Sequence, residues 1–132
     1  MNKTHVQKVK EFMQKAKQET PNQPRIPSET VRLLRARLIM EECLETIVAL
    51  GFAIQTNSNE SISMGGIKFR HMGEGDIVDA MDGIADINVV ANGTAIAYGI
   101  NIEPIQTLVD DSNLAKFRGD AHRDPKTTKW IK

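Results

Sequence analysis

The chain has 132 residues, of which 40% are hydrophobic, 26% charged and 5% aromatic, a composition typical of one compact domain, predicted here over residues 1–132. Seventeen basic and seventeen acidic residues cancel, which argues against a protein that binds duplex nucleic acid through a broad cationic face. Cys43 is the only cysteine, so an intramolecular disulfide is excluded and a reducing cytoplasm is expected.

A first amphipathic helix is predicted over about residues 4–18, because apolar side chains recur there at helical spacing. The N-terminal residues contain no long apolar run, so we expect neither a signal peptide nor a membrane span, and a soluble cytoplasmic protein. Pro21, Pro24 and Pro27 follow, and prolines remove the backbone donors that a helix needs. Residues 20–27 are therefore predicted to form a connector.

A second, long helix is predicted to begin after Ser28, a favourable N-cap residue, and to end where Gly51 supplies a stop. The helical period is lost over residues 52–75, where residues 57–59 and the glycines predict a loop. Apolar and polar residues alternate on either side of Gly65-Gly66. This alternation predicts a small β-hairpin at about residues 61–70.

Asp76 is predicted to open a third helix that continues to about Gly99. Asn101, followed by Pro104 in the first turn, predicts a fourth helix that ends near Gly119. Four helices with one small hairpin make the fold class all-α, with the architecture of a four-helix bundle. Because the two long helices are apolar on most faces, we expect a homodimer or a higher homo-oligomer.

Two of these helices carry clustered carboxylates. Glu42 and Glu45 lie three positions apart on the second helix and thus within about 60° of each other. On the third helix, three aspartates spaced three and four positions apart also share one face. The full acidic set is Glu41, Glu42, Glu45, Asp79, Asp82 and Asp86. The other residues of both helices are mostly apolar, so these carboxylates are expected to point into a packed interior.

Buried carboxylates that face one another must become protonated, pair with bases or hold cations. The arginines of the second helix, Arg32, Arg35 and Arg37, all precede the glutamates. A set of oxygen ligands without histidine favours Mg²⁺, or Mn²⁺, over Zn²⁺. The sequence therefore predicts a magnesium site between the two helices; the alternative is a solvated acidic stripe with ordinary ion pairs.

The ordered set of motifs resembles the all-α NTP pyrophosphatases, which include the MazG-like and the phosphoribosyl-ATP pyrophosphohydrolase-like proteins. The resemblance covers most of the chain from about Pro27 onward and rests on residues 37–45, 79–95, 99–100, 112–117 and 129–132. Gly83 departs from the pattern, because other members of the superfamily place glutamate three residues before the aspartate that matches Asp86. Pairing Asp79 with Asp82 would keep the three-residue spacing, so the choice among the three aspartates stays open.

The resemblance implies a helical bundle that hydrolyses a nucleoside triphosphate to the monophosphate and pyrophosphate with Mg²⁺. The metal ligands that it implies are Glu42, Glu45, Asp79, Asp82 and Asp86. One carboxylate of the Glu41 and Glu42 pair would accept the proton of the attacking water. The basic tail would contact the substrate's phosphates through Lys116, Lys129 and Lys132, and Asn113 would add a hydrogen bond.

Three functions are compatible with these residues. The first is hydrolysis of a nucleoside or deoxynucleoside triphosphate, as in the cleaning of nucleotide pools. The second is phosphoribosyl-ATP pyrophosphohydrolase, the step of the histidine pathway, which would use the same ligands. The third is a non-catalytic helical module that binds a nucleotide or a partner protein, its acids holding a structural ion. The intact spacing of the carboxylates favours the two enzymes, and no residue distinguishes them from each other.

Overall fold

A computed structural model describes residues 2–56, 61–118, 122–127 and 129–131. These residues form four α-helices and two small antiparallel pairs of strands, which confirms the all-α prediction. The chain divides into two compact units, Met1–Gly99 and Ile100–Lys132. The single domain predicted over the whole chain stays a prediction.

The first helix, α1, spans His5–Lys15 and begins with a capping box. The hydroxyl of Thr4 accepts a hydrogen bond from the backbone N–H of Gln7, whose side chain accepts one from the backbone N–H of Thr4. No helix or strand forms between Gln18 and Ser28, so the predicted connector is confirmed.

The second helix, α2, spans Glu29–Ala49, and its ends lie where local chemistry predicts them. The hydroxyl of Ser28 accepts a hydrogen bond from the backbone N–H of Val31, as an N-cap residue does. Gly51, which follows the C-cap residue, has a φ of 97°, a conformation that a side chain would strain. The serine and the glycine therefore set the length of this helix.

The predicted hairpin is present, and its second strand lies where predicted, but its first strand lies earlier in the chain than residues 61–64. Strand β1, Phe52–Thr56, pairs antiparallel with β2, Ile67–His71, and Ile54 lies opposite Phe69. Met64–Gly66, expected as the end of the first strand and the two-residue turn, form a short 3₁₀ helix before β2. The longer ladder satisfies more backbone groups than the shorter predicted hairpin could, which explains the difference. The loop prediction is wrong for residues 52–56, which form β1, and residues 57–59 lie outside the described residues.

The third helix, α3, spans Ile77–Ala97. The carboxylate of Asp76 accepts a hydrogen bond from the backbone N–H of Asp79, which confirms the predicted N-cap. Helix α3 packs against both α1 and α2, and a small buried cluster joins it to α1. The members of this cluster are Val9, Met13, Ile96 and Ala97.

Much of the apolar surface of α2 and α3 is not covered within the chain. Large exposed apolar side chains include Leu33, Met40, Val48, Ile77, Val78 and Met81. The exposed fraction reaches 78% at Ile77 and 66% at Val48. The first unit thus leaves an apolar surface larger than scattered single residues would make.

No helix of the described residues is long and apolar enough to cross a membrane.

Two glycines of α3 allow α2 to approach closely. A Cβ atom at Gly83 would clash with the hydroxyl of Thr46, and one at Gly93 would clash with the guanidinium of Arg35. These two contacts follow opposite orders along the two helices, so α2 and α3 are antiparallel. The glycine contacts therefore determine the register in which the two acidic helices meet.

Replacing Gly83 by alanine is expected to destabilise the protein by about 1–3 kcal/mol, a typical cost of overpacking. The hydroxyl of Thr46 cannot turn away freely, because it donates a hydrogen bond to the carbonyl of Glu42 at 2.7 Å. Urea unfolding measures the change. The matched control is Gly65→Ala, since a Cβ there meets nothing within 4 Å. Equal stability of the two variants would contradict the close contact.

The second unit contains the fourth helix, α4, Ile102–Ala115. Asn101 caps it, as predicted, by accepting a hydrogen bond from the backbone N–H of Glu103. The helix ends earlier than expected because the N–H groups of residues 116–118 donate to carbonyls only three residues before them. Gly119, the predicted end, lies outside the described residues.

A two-residue strand pair, which the sequence analysis did not predict, also lies in the second unit. Strand β3, His122–Arg123, pairs antiparallel with β4, Trp130–Ile131. Two residues carry too little of an alternating pattern to be recognised as a strand in sequence.

Candidate functional site

An acidic cleft of about 370 Å³ lies between the end of α2 and the first half of α3. The predicted metal ligands that line it are Glu45, Asp79, Asp82 and Asp86. The other residues of its wall are Val48, Ala49, Gly75, Asp76 and Gly83. Carboxylates from two helices that are far apart in sequence thus meet in one place, because the glycine contacts hold those helices in an antiparallel register.

The carboxylates are less buried than predicted. Glu45, Asp79 and Asp82 are exposed, and Glu42 and Asp86 are half-buried. The expectation that all of them point into a packed interior is therefore wrong for the single chain. Its physical reason is that the neighbouring apolar side chains of both helices are themselves exposed, so they enclose no interior within one chain.

Glu42 is the most constrained of the acidic residues. Its Oε2 atom is buried and has no hydrogen-bond partner among the described residues. Burial raises the pKa of Glu42, and the charges of Asp86, Glu45, Glu41 and Asp82 raise it further. A buried, unpartnered carboxylate oxygen among like charges is unstable as an anion unless a cation neutralises it. This oxygen is therefore the strongest indication of a cation among the acidic residues of α2 and α3.

The residues fit Mg²⁺ by their chemistry, because carboxylate oxygens are its preferred protein ligands. The carboxylates are close together but are not yet arranged as ligands. Among the described residues, no three Asp, Glu, His or Cys side chains are placed so that they could hold one metal ion. Glu41 is exposed and does not line the acidic cleft. The side chains around Glu42 would have to turn towards the ion as it binds.

Replacing Glu42 by glutamine is expected to stabilise the metal-free protein near neutral pH. The pKa of Glu42 is higher in the folded protein than its unfolded value of 4.5. Its contribution to stability is therefore fully present below that value and is lost as the pH rises through the folded pKa. We would measure the free energy of unfolding by urea in EDTA as the pH rises from 4.5 towards neutral. It should fall in the wild type and not in Glu42→Gln.

The matched control for this experiment is Glu41→Gln, which removes one negative charge from an exposed neighbour. It should keep most of the pH-dependent loss. A wild-type protein whose stability does not fall as the pH rises from 4.5 towards neutral would contradict the raised pKa of Glu42.

A second cavity, of about 250 Å³, lies between α1, α2 and α3. Two of the acidic residues described above, Glu42 and Asp86, line it. Its lining is Val9, Phe12, Met13, Gln18, Arg35, Leu38, Glu42, Asp86, Val89 and Val90. Sequence reasoning did not single out Phe12 or Gln18. The one signal was Arg35, a charged residue in an apolar stretch of α2.

Arg35 is the buried cation of this cavity, with an exposed fraction of 4%. Its guanidinium donates hydrogen bonds to the hydroxyl of Thr94 at 3.1 Å, to Oε1 of Gln18 at 3.2 Å and to the carbonyl of Val90 at 2.9 Å. Burial lowers the pKa of Arg35 from its ordinary value, but a guanidinium remains protonated in proteins. Arg35 therefore joins α2 to α3 and to the segment that follows α1.

The predicted phosphate-binding residues belong to the second unit. Asn113 is exposed near the end of α4, Lys116 is its half-buried C-cap residue, and Lys129 is exposed beside β4. Lys132 lies outside the described residues. Contact of these side chains with phosphate stays a prediction.

A family model described as phosphoribosyl-ATP pyrophosphohydrolase matches residues 9–113 of the chain. The matched range contains both acidic helices, the second cavity and Asn113, but not Lys116 or Lys129. No curated protein matches the chain.

Proposed function

Because the chain belongs to the phosphoribosyl-ATP pyrophosphohydrolase family, we propose that it hydrolyses phosphoribosyl-ATP to phosphoribosyl-AMP and pyrophosphate. The family is part of the MazG-like all-α superfamily, whose members act on phosphoanhydride bonds. This substrate therefore takes precedence over the general nucleoside triphosphates that the sequence analysis placed first. The observation that carries the proposal is the buried, unpartnered Oε2 of Glu42, whose side chain lines the second cavity together with Asp86, a residue of the acidic cleft.

The proposed metal ligands are the carboxylates that face one another across α2 and α3. Glu42, Glu45, Asp82 and Asp86 would hold Mg²⁺, with Asp79 near the start of α3 at the same cleft. The bound ion would neutralise the triphosphate and lower the pKa of a water molecule. In its absence the carboxylates repel one another, so they are poised to accept positive charge.

Glu42 is the better placed of the two candidate bases. Its raised pKa brings the carboxylate closer to the range in which it can take a proton from water near neutral pH. Glu41 is exposed and lines neither cavity, so its effect on the reaction would come through its charge. We expect Glu42→Gln to lose more activity than Glu41→Gln.

A second copy of the chain is the proposed cover for the exposed apolar surface of α2 and α3. Val48 contributes to both this surface and the wall of the acidic cleft, so a partner subunit there would also close the cleft. Apolar patches of this kind commonly mark subunit contacts. We expect the wild type to sediment as a dimer or larger, and Met81→Glu as a smaller species. A wild type that sediments as a folded monomer would refute the proposed assembly.

The substrate is tested by comparing phosphoribosyl-ATP with a panel of ribo- and deoxyribonucleoside triphosphates in the presence of Mg²⁺. Release of pyrophosphate together with the monophosphate, with the highest kcat/KM for phosphoribosyl-ATP, is the expected result. Faster turnover of one simple triphosphate would instead favour a role in cleaning nucleotide pools. Absence of turnover with every substrate would favour the non-catalytic module.

A further inference from the structure

The second cavity shares Asp86 with the acidic cleft. Glu42 and Arg35 also line the second cavity. Arg35 precedes Glu42 by seven residues of α2, which is about 10 Å along the helix axis. A ligand whose phosphates lie at the carboxylates would therefore place its next groups in this cavity.

The cavity has the composition of a small-ligand site. Six of its ten lining residues are apolar, and the four polar ones are Gln18, Arg35, Glu42 and Asp86. Phe12 lines the cavity and is 61% exposed, so its side chain is accessible to a ligand. The volume of about 250 Å³ lies below the usual range for drug-sized ligands and suits part of a nucleotide.

Arg35 determines which way the amide of Gln18 points. A guanidinium can only donate hydrogen bonds, so the atom that faces it at 3.2 Å must be the amide oxygen. The amide nitrogen of Gln18 then points away from Arg35 and has no partner among the described residues. Gln18 lines the cavity, and the two N–H donors of its amide are unpaired among the described residues.

The backbone before Gln18 is held in an uncommon conformation. Lys17 has a φ of 60°, and it is the one residue other than glycine with a positive φ in the described part of the chain. The N–H groups of Lys17 and Gln18 donate to the carbonyls of Gln14 and Met13, the hydrogen bonds of a Schellman motif. Glycine is usual at this position, and a lysine there is strained. The strained turn directs Gln18 back towards Arg35.

We propose that the second cavity binds the nucleobase of the substrate, with Gln18 as the residue that determines specificity. The amide nitrogen of Gln18 donates to an acceptor atom on the edge of the base, and the ring of Phe12 stacks on its face. This inference rests on the proposed function, because the triphosphate must lie at the acidic cleft.

The first test uses Gln18→Glu, which keeps an oxygen for Arg35 and removes the free donors. Calorimetry with Mg²⁺ measures binding of α,β-methylene-ATP, which resists cleavage, and of inorganic tripolyphosphate, which has no base. We expect the variant to bind the nucleotide analogue about tenfold more weakly, the effect of losing one hydrogen bond to the ligand. Its affinity for tripolyphosphate and its melting temperature should not fall.

The matched control is Gln14→Glu, which adds the same charge at an exposed position of α1 outside the cavity. It should bind both ligands as the wild type does. If Gln18→Glu weakens both ligands equally, or neither, the cavity does not recognise the base and the inference is overturned. Turnover of the substrates would be unaffected by that outcome, so the proposed function would survive it.

A second variant tests the aromatic wall. Phe12→Ala should raise KM for the preferred substrate about tenfold with a smaller change in kcat, since stacking holds the base rather than the reacting phosphate. Phe69→Ala, which truncates an exposed ring of β2, is the control. An unchanged KM in Phe12→Ala would overturn the inference. Base-dependent binding by a protein that cleaves no triphosphate would support the cavity and refute the proposed function.

Discussion

Asp82→Asn is expected to lower kcat by about 100-fold or more while leaving the protein folded. Asparagine has the same shape but lacks the charge that Asp82 brings to the acidic cleft, and loss of charge stabilisation at a reacting phosphate has effects of this size. The side chain is exposed, so its replacement should cost little stability. Pyrophosphate release under saturating substrate measures the loss.

A dependence on Mg²⁺ separates a lost ligand from a distorted fold. We expect Asp82→Asn to need a higher Mg²⁺ concentration for half of its remaining activity, and Glu45→Gln to behave alike. The control is Asp111→Asn, an exposed aspartate of α4 outside the cleft, which should retain full activity. More than half of the wild-type kcat in Asp82→Asn would contradict the assignment of the cleft.

Arg35→Met is expected to destabilise the protein by about 3 kcal/mol, a large fraction of the stability of a small domain. Methionine keeps part of the apolar stem but loses three hydrogen bonds, those to Thr94, Gln18 and Val90. The change is measured by urea unfolding in the presence of EDTA. Because the bonds join the connector and two helices, the loss should reach all of the first unit.

The control for this variant lies two residues further along the same helix. Arg37 is exposed, so Arg37→Met should change the free energy of unfolding by no more than about 0.5 kcal/mol. A loss below about 1 kcal/mol in Arg35→Met would show that water replaces the guanidinium without cost.

Helix starts were predictable from sequence because they depend on local chemistry. Ser28, Asp76 and Asn101 each accept a hydrogen bond from a backbone N–H in the first turn of their helix. The acidic face of each long helix follows equally from the spacing of its carboxylates. Both kinds of inference need only residues within a few positions of one another.

Features that depend on contacts between distant residues could not be predicted in the same way. The first strand of the hairpin was misplaced because the partner of Ile54 lies fifteen residues away at Phe69. The exposure of the carboxylates depends on what covers the apolar residues around them. The second cavity combines Phe12, Gln18 and Arg35 from three parts of the chain, and the turn at Lys17 has no sequence signature.

The glycine contacts between α2 and α3 also bear on how this protein could tolerate insertions. The register of the two helices depends on Gly83 against Thr46 and Gly93 against Arg35, and not on the segment that connects them. Doubling the length of a flexible loop costs only about 0.6 kcal/mol. Residues added between the two strands of the hairpin would therefore lengthen the connection without changing the spacing of the carboxylates across the cleft.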